Sequence, residues 1–406
     1  DIMDWKNGQV VVKDSKDIPE HALAAIKKIK VTPTQNGEQL EIELIDKIRV
    51  GQMLAKSAGL LERQAVEDKP AVMNIEMVMP GKEDKDEEKN ITSSQVKKID
   101  VSQLPEGDVL VNVEFSNVNY KDGLCIGPGA GLVKTYPHVP GIDFAGEVES
   151  SQSDLYKKGD KVILTGWRVG EVVWGGYSQK ARVKSSQLVK MPQGMTSKEA
   201  MSMGTAGFSA MLAIMRLEEL GMKKENGEVL VTGATGGVGA VAVVILSNLG
   251  YEVAAVSGKK SSKDYLLSLG AKKLVDRSEL HEVIKRPLES AAWGACVDTV
   301  GGDTLSRLLG QLKYGASVAV VGNAGGNNIS ASAIPFMLRG INMLGIDSAM
   351  QPFENRVKIW DRLNKDFPKK FFEPITKVIS LSDLPNIGKD ILEGKIKGRV
   401  IVDVNI

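Results

Sequence analysis

Hydrophobic and polar residues alternate along several short stretches in the first half of the region that follows residue 95. After about Ala206 the pattern changes, and short apolar runs alternate with stretches of helical periodicity. Alternation with period two predicts β-strands, and strands that alternate with helices predict a parallel doubly wound sheet. The predicted strands lie in DVLVNVEFSNVNY, KVILTG, GYSQKARV, EVLVTG, EVAAVS, KLVD, ACVDTV, SVAVVG, NMLGID and GRVIVDV.

The first 95 residues differ from the rest in composition and pattern. Residues 1–65 predict a small extra α/β segment, with a helix in IPEHALAAIKKI, a strand in GEQLEIELID and a helix in DKIRVGQMLAKSAGLLE. Residues 66–95 contain the charge run PGKEDKDEEKNITSS, which predicts a solvated linker because so many charges bury little surface. VMNIEMVMP, just before that run, predicts one more strand.

Composition narrows the class of protein. The chain has 406 residues, 42% of them hydrophobic, and a net charge of +1, so bulk charge favours neither nucleic acid nor a membrane as partner. Its two cysteines, Cys125 and Cys296, exclude a disulfide framework and a four-cysteine zinc lobe. With no signal-peptide pattern and no long apolar run, we expect a cytoplasmic enzyme.

A glycine-rich turn is the strongest chemical signal. EVLVTGATGGVG places Gly233, Gly236, Gly237 and Gly239 between a predicted strand and an apolar helix. Such glycines permit a sharp turn and a close approach of a pyrophosphate to the helix N-terminus. The alternative is a glycine turn without a ligand. The turn also fits the short-chain dehydrogenase pattern, but none of the seven tyrosines has the lysine four positions later that this class requires.

The second strand of the predicted nucleotide-binding unit ends in SGKK, at Ser257, Gly258, Lys259 and Lys260. An acidic residue at this point accepts hydrogen bonds from the ribose of NAD, whereas a hydroxyl and cations favour the 2′-phosphate of NADP(H). The alternative is a solvated pair of surface lysines. We therefore predict NADP(H) as the cofactor.

Residues from about 88 onwards resemble the zinc-free medium-chain dehydrogenase/reductase superfamily, in its NADPH-dependent acryloyl-CoA reductase branch, which includes quinone-oxidoreductase-like proteins. The resemblance rests on LPEGDVLVNVEFSNVNYKDGL, PHVPGIDFAGEV, GDKVILTGWRVGEVVWGGYSQKARV, VTGATGGVG and AVSGKKSSKDYLLSLGA, together with DTVGG, GIDSAM and IKGRVIVDV. It implies a GroES-like β-rich catalytic domain in residues 96–205 and 345–406, and an NADP-binding Rossmann domain in residues 206–344.

The resemblance also implies a set of cofactor contacts. Arg277 suits this set physically as a further cation for the 2′-phosphate. Thr205 lies where the superfamily approaches the nicotinamide, although it is equally interpreted as a small residue at a helix start. The implied contacts are Tyr120, Thr205, Thr235, Gly236, Gly237, Val238, Ser257, Gly258, Lys259, Arg277, Asn323, Met337 and Ser348.

Zinc-dependent relatives carry Gly-His-Glu where this chain has Gly141-Ile142-Asp143, and isoleucine cannot ligate zinc. We expect no catalytic metal, and hence reduction of a conjugated C=C bond rather than oxidation of a simple alcohol. Tyr120 is the candidate that orients substrate or nicotinamide or donates a proton; the alternative is an aromatic packed at a strand end. Asn119 and Asp122 are supporting candidates, and Asp122 is also interpreted as a cap of the next turn.

Three functions remain open at this point. The first is reduction of a short enoyl-CoA, with acryloyl-CoA the favoured substrate and a homodimer the expected assembly. The second is a quinone or enone reductase of the same fold. The third, nucleic-acid binding or phage assembly, comes from residues 5–85, which resemble the C-terminal part of a phage terminase small subunit; the near-neutral charge speaks against it.

Within GWRVGEVVWGG, Arg168 and Trp174 are candidates for residues that line the entrance for the acyl group or for CoA. The alternative is that both are simply loop residues.

Overall fold

The computed structural model describes five strands before residue 93, and then residues 93–406 apart from 128–131, 259 and 282–285. The chain divides into two compact units, Asp1–Glu67 and Asp68–Ile406. In the first unit, β1 (Met3–Lys6) pairs with β2 (Gln9–Val12), and β3 (Ile26–Thr34) pairs with β4 (Gly37–Leu44), both antiparallel.

The strand predicted in GEQLEIELID is confirmed as β4. The prediction of a helix in IPEHALAAIKKI is wrong for its last four residues, because Ile26–Ile29 belong to β3. Pairing with β4 overrides the helical periodicity there, since a strand's stability depends on its partner as well as on its own residues. The rest of that helix and the helix predicted in DKIRVGQMLAKSAGLLE lie outside the described residues.

The second unit begins with a hairpin. β5 (Ala71–Val78) is the strand predicted in VMNIEMVMP, and it pairs along its length with β6 (Ser93–Asp100), antiparallel. This pair forms a separate two-stranded sheet and does not add to the larger sheets. At the end of β6, Ile99, Val101 and Leu104 form a small buried cluster.

A seven-stranded sheet forms the β-rich part. Its order is β11-β9-β8-β7-β19-β18, with β10 also paired to β7. All pairs are antiparallel except β18 with β19. The strands are β7 (Val109–Val118), β8 (Asp143–Ser151), β9 (Lys161–Thr165), β10 (Lys180–Val183), β11 (Val189–Lys190), β18 (Thr376–Ser380) and β19 (Arg399–Asp403).

A six-stranded parallel sheet of order β14-β13-β12-β15-β16-β17 forms the other part. Numbered from its own first strand, this order is 3-2-1-4-5-6, the Rossmann arrangement, so the predicted doubly wound fold is confirmed. The strands are β12 (Val229–Val231), β13 (Val253–Ser257), β14 (Lys273–Asp276), β15 (Trp293–Asp298), β16 (Leu312–Val320) and β17 (Asn342–Gly345). The exact domain limits stay a prediction.

Helices cover both sheets. The described helices are α1 (Tyr120–Ile126), α2 (Ser197–Glu219), α3 (Gly237–Asn248), α4 (Lys263–Ser268), α5 (Arg277–His281), α6 (Gly302–Gln311), α7 (Ile334–Arg339), α8 (Phe353–Asp366), α9 (Phe372–Ile375) and α10 (Leu384–Leu392).

One described helix, α2, is long and apolar enough to cross a membrane, but 83% of its apolar window is buried inside the protein. Burial on nearly all sides is typical of a core helix. Helix α2 packs on both sheets, through β7 and β8 on one side and β15 and β16 on the other. It therefore joins the two sheets of this unit.

Candidate functional site

The glycine turn follows β12 and leads into α3. Gly233 has a φ of +56°, which glycine adopts without strain, and a Cβ on Gly239 would collide with the Gly233 carbonyl oxygen. Gly236 is the N-cap of α3. Because glycine has no side chain, the first backbone N–H groups of α3 are not capped by a side chain of this residue. Strand, turn and helix thus form the cradle for a pyrophosphate that the sequence predicted.

Arg277 and Gly258 are neighbours. Ser257 at the end of β13 pairs with Asp276 of β14, so the next residues of each strand meet at the same edge. A Cβ on Gly258 would lie 3.0 Å from Nε of Arg277, whose side chain is exposed. A guanidinium therefore lies beside the strand end where the 2′-position of the adenosine ribose is expected. Lys259 lies outside the described residues.

The other predicted contacts are spread along the carboxyl edge of the parallel sheet. Thr235 follows β12, Asn323 follows β16 and Ser348 follows β17. In such sheets ligands bind outside the carboxyl ends of the strands. Met337 differs, because it lies on α7 and is 77% exposed. Val238, in the first turn of α3, packs against the core.

Tyr120 is the first residue of α1, and its neighbour Asn119 is the N-cap. Tyr120 is 48% exposed, whereas Asn119 is buried. The Asn119 amide group is fixed by four contacts: Nδ2 donates to Asn117, Asp122 and Asp143, and Oδ1 accepts from Arg399. The half-exposed Tyr120 therefore directly follows a residue whose side chain is fixed by hydrogen bonds.

Asp143 is the centre of this network. Its carboxylate is fully buried, and Oδ2 accepts from the Thr205 backbone N–H at 2.6 Å and from Asn119 Nδ2 at 2.9 Å. Oδ1 accepts from the Thr205 hydroxyl at 2.5 Å. These three N–H and O–H donors supply the partners that a buried carboxylate requires. The Thr205 hydroxyl is therefore committed to Asp143.

The backbone of α2 breaks at Gly204 so that Thr205 reaches Asp143. Gly204 has φ +52° and ψ −153°, inside an otherwise helical segment. A Cβ at this position would lie 2.6 Å from Asp143 Oδ2 and would overlap the Asn117 amide. Only glycine satisfies both the dihedral angles and the space at this point.

Asp122 is buried one turn below Asn119. Its carboxylate accepts from the N–H groups of Asn119 and Ile142, at 2.8 and 2.9 Å. Burial, and then the charge of Asp143, raise the pKa of Asp122 to about 7, against these donors, which favour the ionised form. Being 0% exposed, Asp122 cannot touch a substrate. It caps α1, so its contribution is to position Asn119 and Tyr120.

Arg399 connects this network to the glycine turn. Its Nε donates to the Ser202 carbonyl at 3.0 Å and its Nη1 to Asn119 Oδ1 at 3.2 Å. A Cβ on Gly237 would lie 2.9 Å from Nη1. Among the residues that the structure describes, Nη2 is buried without an acceptor. A buried cation with an unused donor beside the start of α3 suits an anionic ligand.

Three residues of the network were not predicted as site residues from the sequence: Asp143, Arg399 and Asn117. Signals existed for two of them: Asp143 lies in the largely apolar stretch GIDFAG, and Arg399 opens the apolar strand GRVIVDV. A charged residue that enters an apolar strand requires a buried partner. Which partner it finds depends on contacts across 280 residues, which a local pattern does not reveal.

Two family models match the chain. One, described as an alcohol dehydrogenase GroES-like domain, matches residues 105–193, and one described as a zinc-binding dehydrogenase matches residues 237–362. Acrylyl-CoA reductase AcuI of Ruegeria pomeroyi is 60% identical over 322 residues, which cover 79% of this chain and 98% of that relative. The chain belongs to the medium-chain dehydrogenase/reductase superfamily, in its acryloyl-CoA reductase branch.

Solved structures of this superfamily agree with the fold. The structure of Escherichia coli K-12 YhdH with bound NADPH is 45% identical, with a TM-score of 0.77 over 82% of this chain and 100% of that chain. The structure of Bacillus subtilis yhfP with NAD bound is 41% identical, with a TM-score of 0.78 over 83% of this chain and 100% of that chain.

One of the two matching family models is described as a zinc-binding dehydrogenase, so the side chains that could ligate zinc have to be considered. Within the described ranges, no three His, Cys, Asp or Glu side chains are grouped in a way that could hold a metal. Cys125 is buried, and burial raises the pKa of its thiol well above the ordinary value, which disfavours the thiolate that binds metals. A zinc-free reductase of this superfamily stays our prediction.

The break at Gly204 yields a stability test. We expect Gly204→Ala to lower the free energy of unfolding by about 2–4 kcal/mol, because it adds a steric clash to the cost of holding alanine at dihedral angles that essentially only glycine adopts. Gly194→Ala is the matched control: Gly194 has φ +78° and nothing within 4 Å of a Cβ, so we expect a loss of only about 1 kcal/mol. Urea denaturation of the full chain measures both, and equal losses would contradict the steric argument.

Proposed function

We propose that the protein uses NADPH to reduce the conjugated C=C bond of a short enoyl-CoA, with acryloyl-CoA converted to propanoyl-CoA as the favoured reaction. The main support is the 60% identity to a relative named acrylyl-CoA reductase, over 98% of that relative's length. The pairing of Arg277 with Gly258 supports the choice of NADPH over NADH, because the site offers a cation in place of the ribose-binding carboxylate.

The residues present fit a dinucleotide. The backbone from Gly233 to Gly239 leaves room for phosphate oxygens, and the first amides of α3 favour negative charge there. Arg399 adds a cation with an unused donor beside that turn. Thr235, Gly236, Gly237 and Val238 would hold the pyrophosphate, and Ser257, Gly258, Lys259 and Arg277 the adenosine end.

The reaction needs one hydride, one proton and a fixed geometry. When bound, NADPH supplies the hydride to the β-carbon, which the thioester carbonyl already makes electrophilic. The chain's part is to hold that carbon in place and to complete the addition at the α-carbon. We assign the second task to Tyr120, whose half-exposed side chain directly follows Asn119, a residue fixed by hydrogen bonds to buried partners.

Asn119 and Asp122 serve as positioning residues in this scheme. Asn119 links Tyr120 to Asp143 and Arg399, and Asp122 fixes the Asn119 backbone. Thr205, whose hydroxyl is bonded to Asp143, would present its backbone and methyl group to the nicotinamide. Asn323 and Ser348 would complete the cofactor contacts along the carboxyl edge of the sheet, and Met337 would add one from α7.

We further propose a cytoplasmic homodimer that pairs through the nucleotide-binding part. Among the described strands, β17 is the last of its sheet, and no other described strand pairs with its outer edge, which a second copy could therefore use. Exposed apolar side chains lie on β17 and on α7, the helix that precedes it along the chain: Met343 is 41% exposed and Leu338 63%. Exposed apolar side chains around an unpaired strand favour an interface.

The proposed reaction is tested with labelled reagents. We expect NADPH oxidation with acryloyl-CoA at a kcat/KM at least tenfold above that for any member of a benzoquinone and naphthoquinone panel. With C4-deuterated NADPH, one deuterium should appear at C3 of the propanoyl group, and in D2O one should appear at C2, both read by mass spectrometry and NMR. A preference for quinones, with no turnover of the thioester, would replace this proposal with the quinone reductase.

Cofactor choice is tested at Arg277. We expect Arg277→Ala to raise the KM for NADPH about tenfold or more and to leave the KM for NADH within twofold, because only NADPH carries the 2′-phosphate. Arg216→Ala is the matched control, since Arg216 is an exposed arginine on α2 paired with Glu219. Equal changes in the KM values for NADPH and NADH would show that Arg277 does not bind the 2′-phosphate.

The dimer is tested at Leu338. We expect Leu338→Glu to shift the protein from dimer to monomer in light scattering coupled to size-exclusion chromatography, because it places a charge in an apolar interface. Leu155→Glu is the control, since Leu155 is also 61% exposed but lies in the β-rich part. A wild-type monomer, or a Leu338→Glu dimer, would disprove the assembly.

A further inference from the structure

Two consecutive residues in the loop after β9 have a backbone conformation that non-glycine residues rarely adopt. Trp167 has a φ of +56° and Arg168 a φ of +59°. They are the positive-φ non-glycine residues of the described part of the chain. Each such residue costs about 1–2 kcal/mol, and for a bulky side chain the strain persists only where neighbouring contacts impose it.

The contacts that impose this conformation are present. The Trp167 N–H donates to the Ala349 carbonyl at 3.0 Å, and its ring lies 4.6 Å from the guanidinium carbon of Arg356. Arg356 is fully buried and donates in turn to the carbonyls of Thr165 and Ala349, at 2.7 and 2.6 Å. These contacts fix the position of Trp167 in the loop. They therefore also fix the backbone at the next residue, Arg168, and with it the direction in which the Arg168 side chain projects.

Arg168 extends into solvent, where it shares one carboxylate with a second cation. Its side chain is 63% exposed, and its Nε lies 3.9 Å from Glu171. Lys121 Nζ lies 2.8 Å from the other oxygen of the same carboxylate. The Glu171 side chain is only 9% exposed. We call Lys121, Arg168 and Glu171 the rim cluster; two cations around one carboxylate leave it a net charge of +1.

The rim cluster borders the candidate site. Lys121 directly follows Tyr120 in the first turn of α1. On the other side, Thr165 at the end of β9 pairs with Asp143 at the start of β8, so the loop that carries Arg168 begins beside the Asp143 network. Lys121 thus connects Tyr120, its neighbour along the chain, with Arg168, through the Glu171 carboxylate that both cations share.

We propose that the rim cluster, chiefly Arg168, binds a phosphate group of the coenzyme A part of the substrate. This proposal rests on the proposed function. It explains how the same site would distinguish a CoA thioester from a simple enone. The guanidinium offers a planar set of donors that matches phosphate, and at 3.9 Å from Glu171 it is not held in a close ion pair. The acrylyl group is too small to supply much binding energy itself, so the CoA part must supply it.

The test uses Arg168→Asn, because asparagine tolerates a positive φ and the variant should fold. We expect the KM for acryloyl-CoA to rise about tenfold with kcat within twofold, because one charge-assisted contact is lost. With S-acryloyl-N-acetylcysteamine, a thioester without phosphates, wild type and variant should have the same kcat/KM. Arg168→Lys should restore part of the loss, and Arg216→Asn should change nothing.

Binding measured without turnover separates this proposal from the proposed function. In calorimetric titrations of the NADP⁺-saturated protein with free coenzyme A, we expect Arg168→Asn to raise the Kd about tenfold, and added NaCl to weaken wild-type binding more than variant binding. If wild type binds coenzyme A through Arg168 but reduces no enoyl thioester, the proposed reaction fails and this proposal stands.

Three results would overturn the role of Arg168. An unchanged Kd for coenzyme A in Arg168→Asn would show that it does not contact the CoA part. A matching loss with the phosphate-free thioester would show that the loop acts on the reaction itself. A rise in the KM for NADPH at saturating acryloyl-CoA, with the coenzyme A Kd unchanged, would assign the guanidinium to a phosphate of the cofactor.

Discussion

The hydrogen-bonded carboxylate of Asp143 is the interaction on which the site depends. It lies on β8 and binds Thr205 of α2 and Asn119 at the start of α1, while Arg399 of β19 contacts the same asparagine. A buried carboxylate without partners would be strongly destabilising. Each of these segments therefore has to lie where its side chain or backbone can take part in the network around Asp143. The same requirement explains the break at Gly204, because an unbroken helix would direct the Thr205 N–H along its own axis.

Much of the fold could be predicted from the sequence. β7 begins with an alternation of polar and apolar residues, whereas β12 and β13 are short apolar runs separated by a helical stretch, which indicates the parallel sheet. β8 was not predicted, although it lies in the middle of its sheet. Its first four residues are all buried, so they show no alternation between a polar and an apolar face. The first four residues of β3 were assigned to a helix because their periodicity is a local signal, whereas pairing with β4 is a tertiary interaction.

From the sequence we could predict those parts of the candidate site that consist of residues close together along the chain. The glycine turn and the strand end at Ser257 each belong to a short motif whose chemistry can be inferred from neighbouring residues, whereas Tyr120 was a candidate because of the family resemblance. Asp143 and Arg399 could not be assigned in this way, because their roles arise only when distant strands pair. The strained backbone at Trp167 and Arg168 is similar: their side chains are ordinary, and the φ angles come from Ala349 and Arg356.

The position of β19 has a consequence for how the chain is made. This strand is inserted between β7 and β18, and its Arg399 reaches back to the Val118 carbonyl, 281 residues earlier. During synthesis β7 is completed long before this neighbour exists, so one edge of the central sheet stays open while the whole nucleotide-binding part emerges. An open strand edge favours wrong pairings. The nascent chain therefore has to protect this edge, or be protected by other proteins, until its last strand arrives.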